Sequence, residues 1–135
     1  MTEAKLSDTA RAFLQEPRFA VLATINEDGT PQLTTMWYDL DGDDILMNTA
    51  AGRIKDGNLR RDPRIAICVE DEYSYITISG IAELIDDQEI AQADILRLAM
   101  RYHPPEKAAA MARDQFTKQQ RITVRLRIER VVEKL

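Results

Sequence analysis

Near the C-terminus, apolar Ile122, Val124, Leu126 and Ile128 alternate with Arg121, Thr123, Arg125, Arg127 and Glu129. A two-residue period is the signature of a β-strand with one dry face and one wet face. Such a strand is stable only with sheet partners and something to cover its apolar side. The rest of the chain supplies both. Phe19, Val21, Ala23 and Ile25 predict a half-buried strand, closed by a hairpin turn at Asn26-Glu27-Asp28-Gly29. Leu33 to Leu40 is the return strand, a second tight turn starts at Asp41-Gly42, and Ile45 to Asn48 is a third strand. The continuous β-branched run Ile65 to Val69 predicts a fully buried strand, with Cys68 a small buried hydrophobe. From Tyr73 to Ile81 the pattern alternates again, with Tyr73, Tyr75, Thr77 and Ser79 on one side and Ile76 and Ile78 on the other. Gly80 inside that run signals a bulge or sharp bend.

Helices are few. Ser7 is a good N-cap for a helix over 7–16 whose face is Ala10, Phe13 and Leu14, and Pro17 stops it. Asp86 and Glu89 have capping-box spacing for a helix running to about Tyr102, with Ala91, Ile95, Leu98 and Tyr102 on one stripe. Pro104 and Pro105 break it and open another, carrying Met111 and Phe116. Short antiparallel strands with few helices predict a mainly β fold, a small barrel with helical flaps.

At 135 residues, without repeat or linker, the chain is one domain, and 44% hydrophobic with 30% charged residues suits a globular fold. Its size makes a dimer a reasonable expectation. The net charge of -5 argues against a nucleic-acid binder. A single Cys excludes an intrachain disulfide and a Cys-rich zinc site. No apolar run approaches membrane-spanning length, and MTEAKLSDTARAF lacks the apolar core of a signal peptide, so the expected location is cytoplasmic.

The chemistry concentrates in two places. Gly52 to Arg64, GRIKDGNLRRDPR, carries Arg53, Lys55, Arg60, Arg61 and Arg64 against only Asp56 and Asp62. It follows a strand and opens a short helix stopped before Pro63, a junction suited to binding phosphate. Lys55 and Asn58 share one face of that helix; the alternative is a solvated helix with Arg60 and Arg61 facing water. The second place is TTMWYD, Thr34 to Asp39, where Thr34, Met36 and Tyr38 lie on one face and Leu33, Thr35 and Trp37 on the other. One face packs the barrel, and the other suits a planar ring or cross-strand packing. His103, the only His, reads as a helix-end residue, and the Arg row of the last strand as its wet face, with Arg125 or Arg127 available to a ligand or partner. There is no GxGxxG, Walker loop, GxSxG, HExxH or CxxC motif. With so few acid–base groups, an enzyme of this sequence would leave the difficult step to a bound cofactor.

In order, AVLATINEDGTPQLTTMWYDLDGD, MNTAAGRIKDGNLRRDPR, YITISGIAEL and RITVRLRIERVV resemble the pyridoxamine-5′-phosphate-oxidase-like split β-barrel family, from about Ser7 to Val132. The likeness is strongest to the branch that depends on the deazaflavin coenzyme F420. It implies a six-stranded antiparallel split barrel and a homodimer with two cofactor sites at the subunit interface. Arg53 and Lys55 match the family's phosphate-binding positions, with Asn58 a weaker match. Thr34, Met36, Trp37 and the stretch Asn48, Thr49 and Ala50 are implied to line the ring or its ribityl chain, with Tyr75 and Ile76 contributed by the partner chain. The implied activity is hydride transfer between F420 and a small conjugated organic substrate, with no dedicated catalytic side chain and a proton from solvent, Tyr38 or Tyr75. An FMN flavoprotein, and a non-catalytic binder of a cofactor or tetrapyrrole, are the alternatives.

Overall fold

The computed structural model describes residues 6–135; the first five residues of the N-terminal segment read above lie outside them. Helix α1 (Asp8–Gln15) begins at Ser7, whose hydroxyl accepts from the Ala10 amide at 3.0 Å. Strands β1 (Ala20–Ile25), β2 (Pro31–Met36), β3 (Asp39–Asp41) and β4 (Asp44–Ala50) follow. Next come α2 (Ile54–Arg61), β5 (Arg64–Asp71), β6 (Ser74–Ile85), α3 (Gln88–Tyr102) and α4 (Pro105–Asp114). A single 3₁₀ turn at Phe116–Lys118 leads into β7 (Arg121–Lys134).

All the strands join one antiparallel sheet in the order β2-β1-β5-β6-β7-β4-β3. It has seven strands rather than the six expected, because the return strand breaks at Trp37–Tyr38 into β2 and β3. Those two pieces form opposite edges of the sheet. Laid flat, seven strands span about 29 Å at ordinary spacing. From Met36 to Asp39 the chain takes three Cα steps and reaches at most about 11 Å. The sheet must therefore curl until its edges nearly meet. The result is a barrel held at its seam by covalent chain rather than by a ladder.

The Tyr102 hydroxyl fills that seam, accepting from the Tyr38 amide at 3.2 Å and donating to the Arg18 carbonyl. Leu22, Tyr38, Ile45, Met47, Ile67, Ile76, Ile78, Val124 and Leu126 fill the barrel. A second cluster, Ile95, Leu98, Ala99, Ala108 and Phe116, packs the helices beside Trp37.

Several local expectations change. In β1 the inward residues are Ala20, Leu22 and Thr24, while Phe19 and Val21 are exposed. Both faces of that strand are apolar, so alternation alone does not say which one turns in. In β5 only Ile65, Ile67 and Val69 are buried, and Cys68 is half-buried on the other face. The bulge at Gly80 is present, as a register shift between Ser79 and Gly80 against β7. The cap of α3 is Asp87, one residue beyond the expected Asp86; its carboxylate accepts from the amides of Glu89 and Ile90. Asp86 instead forms a surface ion pair with Arg60 at 2.5 Å. Asp87→Ala should therefore lower stability by about 1 kcal/mol in a urea titration, and Asp86→Ala should leave the midpoint nearly unmoved.

Candidate functional site

The acids of the basic segment are all engaged. Asp56 accepts from the Gly52 amide at 2.9 Å and from Arg60 Nε at 3.0 Å. Arg60 also grips Asp86 with both terminal nitrogens, and Arg64 pairs with Asp62 at 2.6 Å. These hydrogen bonds hold Asp86 below the usual carboxylate range and bring Asp62 down to about 2. Arg61 stays exposed, donating to the Ile25 carbonyl at 2.6 Å and to Asn58 Oδ1 at 2.9 Å. Arg53 and Lys55 remain, with no carboxylate partner among the described residues. Lys55 is only 7% exposed. Burial pushes its ammonium below the ordinary lysine range, and the nearby charges of Arg53 and Arg121 push it further.

Arg121 is the residue sequence reasoning missed. Expected on the wet face of the last strand, it is 3% exposed. It stands opposite Ala50 in the β4–β7 ladder, where the chain leaves β4 for the Gly52–Arg53 turn. The 3₁₀ turn covers it, with Phe116 against its guanidinium at 5.3 Å. A charge at the first position of the strand carries no signal of what will lie over it. Thr123 on the same face is buried too, its hydroxyl donating to Asp94 at 2.7 Å. Arg125 pairs with Asp41 at 2.7 Å, and Arg127 with Glu83 at 2.6 Å.

Arg53 and Arg121 line one cavity of about 330 Å³ together with Met36, Trp37 and Asn48. Apolar Ile95, Leu98, Met111 and Phe116 from the helices close the far side. That volume is within the range of small-molecule sites. Asn48 is oriented by donating to the Ala91 carbonyl at 2.9 Å. One face of Trp37 is stacked on Tyr102, with ring centroids 5.4 Å apart, and His103 meets Trp37 edge-on.

Of the residues named from sequence, Met36, Trp37, Asn48 and Arg53 come together in this cavity, and Lys55 lies beside it. Ala50 is buried opposite Arg121. Thr34 is half-buried within β2 and does not line the cavity, which takes Thr35 and Trp37 from the other face while Met36 and Tyr38 pack the barrel core, so the alternation over 34–38 holds. Asn58, 4% exposed, spends its amide on Thr24 Oγ1 at 3.0 Å and Asn26 Oδ1 at 2.9 Å, tying α2 to β1. Thr49 is buried on the β4 face opposite to that of Asn48, its hydroxyl without a partner among the described residues. Ile76 is inside the barrel core and Tyr75 lies with Thr77, Ser79, Arg130 and Val132; neither lines the cavity. Tyr38 is no proton donor: its buried hydroxyl donates to the Glu16 carbonyl at 3.1 Å. Burial, then Tyr102, pushes it up to about 12.

Across residues 6–134 the sequence matches the pyridoxamine 5′-phosphate oxidase family. The chain belongs to that family. Within the pyridoxamine 5′-phosphate oxidase family it is similar to an F420H(2)-dependent biliverdin reductase of Mycobacterium tuberculosis, at 26% identity over 97% of this chain and 90% of the relative. A crystal structure of a conserved hypothetical protein of Mycobacterium tuberculosis superposes with a TM-score of 0.81 at 29% identity, over 98% of this chain and 89% of that one. An F420 reductase superposes with a TM-score of 0.75 at 26% identity, over 94% of this chain and 98% of that one. The split-barrel architecture is thus that of the family. No helix among the described residues is long and apolar enough to cross a membrane.

Proposed function

We propose that this protein is an F420-dependent oxidoreductase that exchanges hydride with a small conjugated organic substrate, working as a homodimer with its cofactor sites at the subunit interface. The observation that carries this reading is a group of cations with no carboxylate partner among the described residues, Arg53, Lys55 and Arg121, around a cavity bearing one indole and otherwise largely apolar walls. A phosphate-bearing ring cofactor matches both halves of such a site. Two similar proteins whose names specify F420 support the choice of ring.

When bound, the deazaflavin supplies hydride from a ring carbon, so the protein's work is positioning and electrostatics. Arg53 and Lys55 would hold the phosphate, Arg as a planar fork and Lys as a point charge. Met36, Trp37 and Asn48 would face the ring. Ile95, Leu98, Met111 and Phe116 exclude water from that side. With Tyr38 committed to a backbone carbonyl, solvent or Tyr75 of a partner subunit is left to supply a proton.

Titration of purified protein with F420 and with FMN, followed by quenching of each ring's fluorescence, tests the choice of cofactor. F420 should bind, and Lys55→Ala should weaken binding by about 1.5–3 kcal/mol, the worth of a charge-assisted bond. Affinity should also fall as pH rises toward the depressed Lys55 value, since the neutral amine no longer attracts phosphate. Tight FMN binding without F420 binding would reject the reading in favour of an ordinary flavoprotein. Binding without turnover would favour a carrier of cofactor or tetrapyrrole. Biliverdin, named for the mycobacterial relative, is the first conjugated acceptor to try with reduced F420.

A further inference from the structure

We propose that Arg121 is the innermost anchor of the anion site, binding an oxyanion of the phosphate class together with Lys55 and Arg53. The inference rests on the same cavity as the reading above, but not on which ring the cavity prefers.

Arg121 is the most deeply buried arginine of the site, and the groups that hold it are neutral. Its Nε donates to Asn48 Oδ1 at 3.0 Å and its Nη1 to Gln119 Oε1 at 2.6 Å. Asn48 is itself fixed through the Ala91 carbonyl, so the guanidinium is held in place before any ligand arrives. Its Nη2 has no hydrogen-bond partner among the described residues, and Arg121 lines the cavity. The other arginines pressed against the sheet behave differently. Arg101 faces Asp39 at 3.4 Å, and Arg125 faces Asp41 at 2.7 Å. Burying a charge is unfavourable unless it is paired. Burial, and then Arg53, bring the guanidinium down to about 10, which still leaves it charged near neutrality.

The neighbours identify the class of anion. Arg53 shares the cavity, and the charge of Arg121 is felt at Lys55. Three cations converging with no carboxylate partner among the described residues suit a group with several charged oxygens better than a single carboxylate. With Nε and Nη1 tied, Nη2 is left to donate to one oxygen of a phosphate, and Arg53 and Lys55 can meet the others. FMN carries such a group as a phosphomonoester and F420 as a phosphodiester.

The test uses two ring pairs, F420 with its phosphate-free riboside and FMN with riboflavin, titrated against wild type, Arg121→Met and Arg121→Lys by ring fluorescence. In whichever pair wild type binds, Arg121→Met should weaken the phosphate-bearing member about 10- to 100-fold. The phosphate-free member should stay within about two-fold, and Arg121→Lys should restore part of the loss. Equal losses for both members would make Arg121 a packing residue and overturn the proposal, as would no loss. Binding confined to the flavin pair would reject the F420 reading while the FMN-to-riboflavin ratio still tests Arg121. Should neither ring bind, inorganic phosphate must raise the melting temperature of wild type above that in chloride of equal ionic strength, and must not do so for Arg121→Met; otherwise the proposal fails. If Arg121→Met does not fold, Arg121→Gln, which removes the charge and keeps a donor, is titrated in its place.

Discussion

Replacing Gly80 with alanine should destabilise the protein by about 3 kcal/mol or more. Gly80 sits at the register shift of the β6–β7 ladder, where it pairs with Ile128. A Cβ at that position would lie 1.8 Å from the Arg127 carbonyl oxygen and 2.9 Å from its carbon. Both atoms are backbone, so no side-chain rotation relieves the clash. One of the strands has to move, and β6 and β7 are the longest strands of the barrel. Urea denaturation should show a lower midpoint. Gly57 supplies the control: it is helical, nothing lies within 4 Å of its added Cβ, and Gly57→Ala should hold or slightly raise the midpoint. Equal effects at the two positions would mean that the bulge absorbs a side chain and that its close approach is unimportant.

Arg101→Ala should cost about 2–3 kcal/mol, the penalty for losing a half-buried set of charge-assisted hydrogen bonds. From the last turn of α3, Arg101 Nη1 donates to the Gln15 carbonyl at 3.0 Å. Its Nη2 donates to the carbonyls of Leu14 at 2.8 Å and Glu16 at 3.0 Å. These carbonyls end α1, where a helix has no partners of its own. The same guanidinium lies 3.4 Å from Asp39, so one side chain ties α1, α3 and β3 together. Glu16 also accepts from the Tyr38 hydroxyl, so the loss reaches the barrel seam. Arg101→Lys keeps the charge without the planar fork and should recover less than half. Thermal unfolding followed at far-UV wavelengths, together with the near-UV signal of Trp37, checks both variants. A melting temperature unchanged in Arg101→Ala would show that solvent satisfies the α1 carbonyls equally well.

Local pattern revealed much of this molecule. The β7 alternation from Val124 to Ile128, the bend at Gly80, the Ser7 cap and the end of α3 at Tyr102 before the prolines all stand as the residues suggest. Each depends on neighbours within a few positions, and that is the range over which periodicity and capping act. Errors fell where two local solutions have nearly equal energy. Asp86 and Asp87 are both good caps, and both faces of β1 are apolar. The one that wins is chosen by what packs against it from elsewhere in the chain.

The site divides the same way. Its basic segment is visible as a run of charge, and the family resemblance singled out Arg53 and Lys55 within it. Which cations keep their charge unspent was decided by folding. Asp86, far along the chain, takes up Arg60, while Arg121 is brought beside Arg53 by the β4–β7 ladder and covered by Phe116. Charge belongs to a residue and is legible one letter at a time. Neutralisation and burial belong to pairs of residues, and only the folded barrel determines who stands opposite whom.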